Sequence, residues 1–320
     1  MNSKNIGLTT DELNQILDIA RYAPSVHNSQ PWKVQPTDYG MAVSIDANHR
    51  LGAGDPTGRQ TTISLGIFCE AILVAAKSIG KKINKISFGE QISIYFGSKC
   101  HGETAEAKAL KTRASDRSIY QKTAVGEKFI EIIESSSNTS SVKIWVINDE
   151  KFIEKVARLT ARGVGLALAN PEFRKELSRY LVRSRSKKNR GINVGSLYLP
   201  YALAQAQPEM VKFGLGRNKE AELEKERWLS ASAIVLITSE GDLHKDWFEA
   251  GRAYLRASLN IEKLGLSQAS SAATVEASTF HEDVEKMLNT NQRLQAVIRI
   301  GRGVSNRQYS PRISPDDMIT

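Results

Sequence analysis

Two apolar stretches of this chain carry a glycine at the same depth. Thr61 to Ile79 is closed by Gly80, with Gly66 fourteen residues before it; Trp247 to Leu264 is closed by Gly265, with Gly251 fourteen residues before it. Both stretches read as helices. Their endings, KSIGKK and EKLGLS, share a charged residue, a large apolar one and a glycine where a helix turns into the left-handed region. Glycine inside a helix costs about 1 kcal/mol against alanine. One at matched depth in both helices calls for a close backbone approach there. The match also points to a single duplication, with halves at residues 1–105 and 106–320.

The rest of the chain alternates helical and strand patterns. Thr9 and Glu12 form a capping-box pattern, and Leu13, Ile16, Leu17 and Ala20 make one apolar stripe, so a helix runs up to Pro24. Strand patterns follow at 33–35, 41–45, 85–88, 92–96, 142–147, 231–238 and 296–301. Helices are expected at 103–111, 129–134, 149–168, 220–229 and 280–289, with a long irregular region reaching Gly216. Hydrophobic residues at 41% and charged residues at 25% fit a soluble chain with a substantial core. No apolar run approaches the roughly 20 residues of a membrane helix, and MNSKNIGLTTDEL lacks the apolar segment of a signal peptide. Cys69 and Cys100 sit in no metal-like spacing, so a reducing cytoplasm is the expected location. A net charge of +9 suits an anionic partner: a phosphate-bearing cofactor, nucleic acid or an anionic surface.

Three fragments could carry chemistry. APSVHNSQPWKV, Ala23 to Val34, sets Ser25, Asn28, Ser29 and Gln30 between two prolines, a composition that fixes a loop through side-chain to backbone hydrogen bonds. Such a loop can line a flat ligand; it can equally be a helix-to-strand turn with Trp32 in the core. In TRASDRSIY, Arg113, Ser115 and Arg117 fall at alternate positions, which puts two guanidiniums and a hydroxyl on one face of an extended segment, suited to an anion. The alternative there is a solvated connector. Ser310, Pro311 and Arg312 offer a further anion contact. The basic run Arg183 to Arg190 is a solvated segment or a lid; it lacks the interleaved aromatics of a nucleic-acid surface. His27, His49, His101, His244 and His281 are scattered, which argues against a metal site. No nucleophile with an evident base is present, so a cofactor is expected to supply the reactivity.

Taken together the fragments resemble the flavin-dependent nitroreductase superfamily. APSVHNSQPW resembles its PSxxNxQPW loop and TRASDRSIY its RRxSxRxF segment. DWFEAGRAYLRASLNIEKLGL is similar to its long central helix, and SPR to its basic C-terminal segment. With GRQTTISLGIFCEAILVAAKSIG as a second such helix, the chain resembles the Acg-type members, which carry two nitroreductase halves in one chain.

The resemblance implies an α+β fold: a duplicated nitroreductase fold of two mainly antiparallel sheets flanked by helices, one chain mimicking a dimer. It implies one FMN per chain. Arg113, Ser115 and Arg312 would meet its phosphate or ribityl chain, and Arg117 the pyrimidine side. Pro24, Ser25 and Val26 would pack on the ring, with Asn28 holding the loop. Gln268 to Ala273, including Ser270, would approach N5, although QASSAA departs from the usual PIxG-like pattern there, as Ala114 departs in the RxSxR segment. The implied activity is NAD(P)H-dependent reduction of a nitro compound, quinone or similar acceptor. The alternative is an FMN-storing or FMN-sequestering protein, with residues 172–216 as its lid. Flavin destruction, as in the benzimidazole-forming branch, ranks behind both. The expected partners are FMN and a small donor and acceptor, with neither nucleic acid nor membrane.

Overall fold

The computed structural model describes residues 7–137, 139–304 and 306–320, so the first six residues of the N-terminal stretch discussed above lie outside it. Helix α1, Thr10–Ala20, starts on the Thr9–Glu12 capping box, each side chain taking the other's backbone amide at 3.2 and 3.1 Å. It buries Leu13, Ile16, Leu17 and Ala20. Strands β1, Trp32–Thr37, and β2, Gly40–Ile45, pair antiparallel. Helix α2, Arg59–Ser78, follows, then β3, Lys81–Ser87, and β4, Ile92–Lys99, which complete an antiparallel sheet in the order β1-β2-β4-β3.

Helices α3, Ala105–Thr112, and α4, Glu127–Glu134, lead to β5, Val142–Ile147, and to α5, Glu150–Ala169. Next come α6, Pro171–Tyr180, the two-residue strands β6, Leu181–Val182, and β7, Ile192–Asn193, and α7, Tyr201–Phe213. Helix α8, Arg217–Leu229, precedes β8, Ala233–Ser239, a strand buried at every residue. Helix α9, His244–Lys263, β9, Ser267–Ser270, the short α10, Ala273–Glu276, α11, Phe280–Met287, β10, Arg293–Gly301, and α12, Pro315–Met318, complete the order. The second sheet is antiparallel and runs β5-β8-β10-β9.

Helices α2 and α9 meet at the two glycines. A Cβ on Gly66 would overlap the carbonyl oxygen of Phe248, and one on Gly251 that of Ile63. Each helix therefore offers its glycine to the other's backbone, and both end on a glycine of positive φ, Gly80 at 74° and Gly265 at 73°. The apolar surface around this crossing is one core shared by both sheets. It includes Trp32 stacked on Phe68 at 4.3 Å between ring centroids.

The structure departs from the sequence expectation in two places. Helix α2 is long and apolar enough to cross a membrane by length and composition, although no such run was expected; 83% of its apolar window is buried inside the protein. Its one mid-helix carboxylate, Glu70, is paired with Arg252 and Arg256 of α9 at 2.9 and 3.0 Å. The region expected to be irregular up to Gly216 is instead built from α6, the parallel β6–β7 pair and α7, with a small core of Leu181, Ile192, Val194 and Ala204. We call residues 171–216 the cap.

Candidate functional site

Six of the nine residues singled out in the sequence line one cavity of about 610 Å³: Pro24, Ser25, Val26, Ser115, Arg117 and Ser270. The other three, Asn28, Arg113 and Arg312, do not line it: Arg113 bonds the lining Ser115, and Arg312 bonds Asn28 beside the lining His27. Asn28 donates to the carbonyls of Gly191 and Pro311 at 2.9 and 2.8 Å, and Arg312 donates to Asn28 Oδ1. Arg113 reaches Ser115 Oγ at 3.4 Å.

The loop from Ser25 to Gln30 holds a costly shape. His27, Asn28 and Gln30 have φ of 49°, 52° and 50°, a region that non-glycine residues enter at a cost of roughly 1 kcal/mol or more each. Surrounding hydrogen bonds fix it. Ser25 Oγ accepts the Gln30 amide at 2.9 Å, Gln30 Nε2 donates to Asn189, and Gln30 Oε1 accepts the Ile313 amide at 3.0 Å. Arg190, the last residue of the basic run, donates to the carbonyls of Ser29 and Gln30. Ser64, inside α2, accepts the Val26 amide at 3.2 Å and sets the loop's height above that helix.

The Arg113–Arg117 segment is tied by a single parallel bridge to β9, the edge strand of the second sheet. Ser115 pairs with Gln268 of β9, and the Asp116 amide donates to the Gln268 carbonyl at 2.8 Å. Buried Arg299 of β10 holds the far side through the carbonyls of Asp116 and Ser118 at 3.2 and 2.9 Å. Arg117 turns to Ser196 Oγ of the cap at 3.3 Å. The neighbouring segment Ser270–Ala273 lines the cavity, with Tyr254 donating to Ser270 Oγ at 3.1 Å.

The lining carries Glu220, Glu224 and Glu276 beside Arg117 and Arg227, and Arg227 pairs with the first two at 3.1 and 3.2 Å. Arg113, Arg117 and Arg312 make no ion pair among the described residues. Burial pushes the Arg113 guanidinium below its usual range. Arg312 is pushed down to about 9, by burial first and by Arg113 second, and it stays charged at neutral pH. The Nε atoms of both are buried without a partner. Two adjacent cations, Arg113 buried and Arg312 partly so, each with an unpartnered Nε, fit a ligand anion, and a phosphate suits the fork of donors.

Across the cavity the cap supplies Phe173, Leu177, Leu181, Ile192, Leu197 and Val211. Glu176 fastens it to the opposite wall, accepting the amides of Ala53 and Gly54 at 3.1 and 2.7 Å. His27 lies between loop and cap, edge-on to Phe173 at 5.8 Å, and burial followed by Arg117 pushes its imidazole down to about 4. A folded-state value below the unfolded one makes the unfolded chain the better proton binder between about 4 and the usual 6.5. Stability is therefore expected to fall as pH drops through that window. The fall should be smaller in His27→Asn, read as the melting temperature against pH.

No family model matches the chain. The acg protein of Mycobacterium tuberculosis, which carries the provisional name NAD(P)H nitroreductase, is 23% identical over 307 residues, 92% of this chain and 90% of its own length. The chain resembles the Acg type of the nitroreductase superfamily over most of its length. PigM of Serratia sp. (strain ATCC 39006), also provisionally named an NAD(P)H nitroreductase, is 29% identical over 186 residues, 53% of this chain and 51% of its own. Among solved structures, a nitroreductase with bound FMN from Desulfitobacterium hafniense DCB-2 covers 68% of this chain and 98% of its own at 11% identity and a TM-score of 0.43. An iodotyrosine deiodinase bound to FMN and 3-iodo-L-tyrosine covers 65% and 95%, at 16% identity and a TM-score of 0.43.

Several residues that shape this site were not singled out. Ser64, Arg190, Arg299 and the apolar cap residues act on partners far along the chain. Only Arg299, a cation inside the apolar run AVIRIG, carried a local signal.

Proposed function

We propose that the chain is an FMN-dependent oxidoreductase of nitroreductase type, in which NAD(P)H is the electron donor and a nitro compound, quinone or similar compound the acceptor. The observation that carries this reading is the couple Arg113 and Arg312, one buried and one partly buried, without an ion pair among the described residues and joined through Ser115 to a largely apolar cavity. When bound, a flavin supplies the hydride chemistry. The chain's own residues bind and orient. Arg113, Ser115 and Arg312 hold the phosphate end. Pro24, Ser25 and Val26 form a wall for the ring, Asn28 holds their loop, and Ser270 with its neighbours borders the opposite edge. Arg117 places positive charge in the cavity, which favours an electron-rich ring. The apolar cap residues exclude water.

On this reading the chain is a duplication that keeps a single site. Counting from the matched glycines, Ser64 and Ile67 of α2 correspond to Glu249 and Arg252 of α9. Ser64 and Ile67 line the cavity. Arg252 pairs with Glu249 at 3.2 Å and with Glu70 at 2.9 Å, so an ion cluster stands at the second position. Flavin absorbance against protein should give close to one FMN per chain, and a value near two would count against this assignment.

A second reading, FMN held without turnover, draws on the fastening of the cap by Glu176 and Arg190. Anaerobic addition of NADPH, then NADH, separates the two. Rapid bleaching of the flavin bands supports turnover. Bleaching by dithionite alone supports sequestration, and Glu176→Ala should then speed reduction by the nicotinamides. A colourless protein that takes up no added FMN would overturn both.

A further inference from the structure

The cap is apolar towards the cavity and basic towards the outside. Residues 171–216 hold nine Lys and Arg against three Glu, two thirds of the chain's net +9. Lys175, Arg179, Arg185, Lys187, Lys188 and Lys212 are exposed, and none makes an ion pair among the described residues. The cap also exposes large apolar side chains: Tyr201 and Phe213 at 65% and Leu215 at 61%.

These two sets are neighbours. Helices α6 and α7 run antiparallel, because Gln205 near the start of α7 bonds Ser184 just past the end of α6. Gly214, just past the end of α7, lies against Arg174 near the start of α6. Tyr201 therefore lies at the end of the cap that carries Arg183 to Lys188, and Phe213 and Leu215 at the end that carries Arg174 and Lys212. Lys212 Nζ sits 5.3 Å from the Phe213 ring centroid. Among the described residues α7 buries only Ala204, Gln207 and Pro208, so most of its circumference is unpartnered.

We infer that the outer face of the cap docks on the surface of an anionic lipid bilayer, with Tyr201, Phe213 and Leu215 entering the headgroup region and the surrounding Lys and Arg meeting lipid phosphates. This departs from the sequence expectation of no membrane partner. Charge complementarity selects the occupant: a second copy would bring the same unpaired cations face to face, whereas an anionic bilayer offers opposite charge and an apolar layer within a few ångströms. A duplex nucleic acid would satisfy the charges and leave the apolar side chains exposed to water. The docking stands apart from the flavin reading and is tested without turnover.

The test is co-sedimentation of the full chain with vesicles of phosphatidylglycerol and phosphatidylcholine, beside vesicles of phosphatidylcholine alone. Binding is expected to the anionic vesicles only and to weaken steeply with salt. At about 1 kcal/mol per basic residue, Arg185→Glu with Lys187→Glu should weaken it about twenty-five-fold or more. Phe213→Ser with Leu215→Ser should weaken it without altering the salt dependence, and neither pair should change the melting temperature, which checks that the fold is intact. No binding to anionic vesicles overturns the proposal, as does equal binding to phosphatidylcholine. So does binding to duplex DNA that competes with vesicles and ignores the Phe213 and Leu215 changes. A dimer in vesicle-free solution that the same changes dissociate would assign the face to self-association and overturn it too.

Discussion

Alanine at Gly66 or at Gly251 is expected to destabilise the chain by about 3 kcal/mol or more, read from the midpoint of urea unfolding at constant slope. The added methyl would overlap a backbone carbonyl of the partner helix, at Phe248 or Ile63, and no rotamer change can clear it. The helices must separate, which loosens the core they share with both sheets. In an isolated helix the same change is stabilising by about 1 kcal/mol, so the sign separates tertiary approach from intrinsic propensity. The double variant should cost clearly less than the sum, because one substitution has already moved the helices apart. Additive losses would mean that the two contacts are independent.

Arg113→Met is expected to change two measurements in opposite directions. Without a ligand, the substitution removes a buried cation that makes no ion pair among the described residues and that repels Arg312, so the melting temperature should rise. With the proposed FMN, it removes a charged hydrogen bond to phosphate, worth about 1.5–3 kcal/mol, so affinity should fall about ten- to a hundredfold. A merely structural arginine would lower the melting temperature and leave FMN affinity alone. That outcome would remove Arg113 from the proposed cofactor site.

The legible parts of the fold were those with local periodicity or local punctuation. The strand VKIWVI, the buried β8 and the capped α1 announce themselves in a few residues, and the two glycines reveal a crossing because each is costly where it stands. The cap was not read as helical for a physical reason. Helix α6 shows only Phe173 and Leu177 as a thin apolar stripe among charged residues, and the buried face of α7 is Ala204, Gln207 and Pro208, small or polar residues with a proline that reads as a helix breaker. One signal was present. Asn170 accepts the Glu172 amide and Pro171 occupies the first turn, a helix start in the sequence NPEF.

In the site, the loop and the RxSxR segment were visible as short patterns. What supports them was hidden, since Arg190 acts 160 residues away on Gln30 and Arg299 acts 183 residues away on Asp116. Such supports have no neighbour in sequence to betray them. Arg190 also sits in a run that reads as solvated charge, although it is the run's one half-buried member, clamped on Ser29, Gln30 and Asp46.

The strained loop after α1 is held from the other end of the chain. Pro311 and Ile313 bond Asn28 and Gln30, and the backbone of Thr320 pairs with Val34. During synthesis these partners emerge nearly three hundred residues after the loop itself, so the loop has to wait, without its clamps, while most of the protein is made. Residues that cost energy in their final backbone shape would relax in that interval. The cradle for a ligand is thus closed only when residues 311–313 reach it, after the strands of the first sheet have been made.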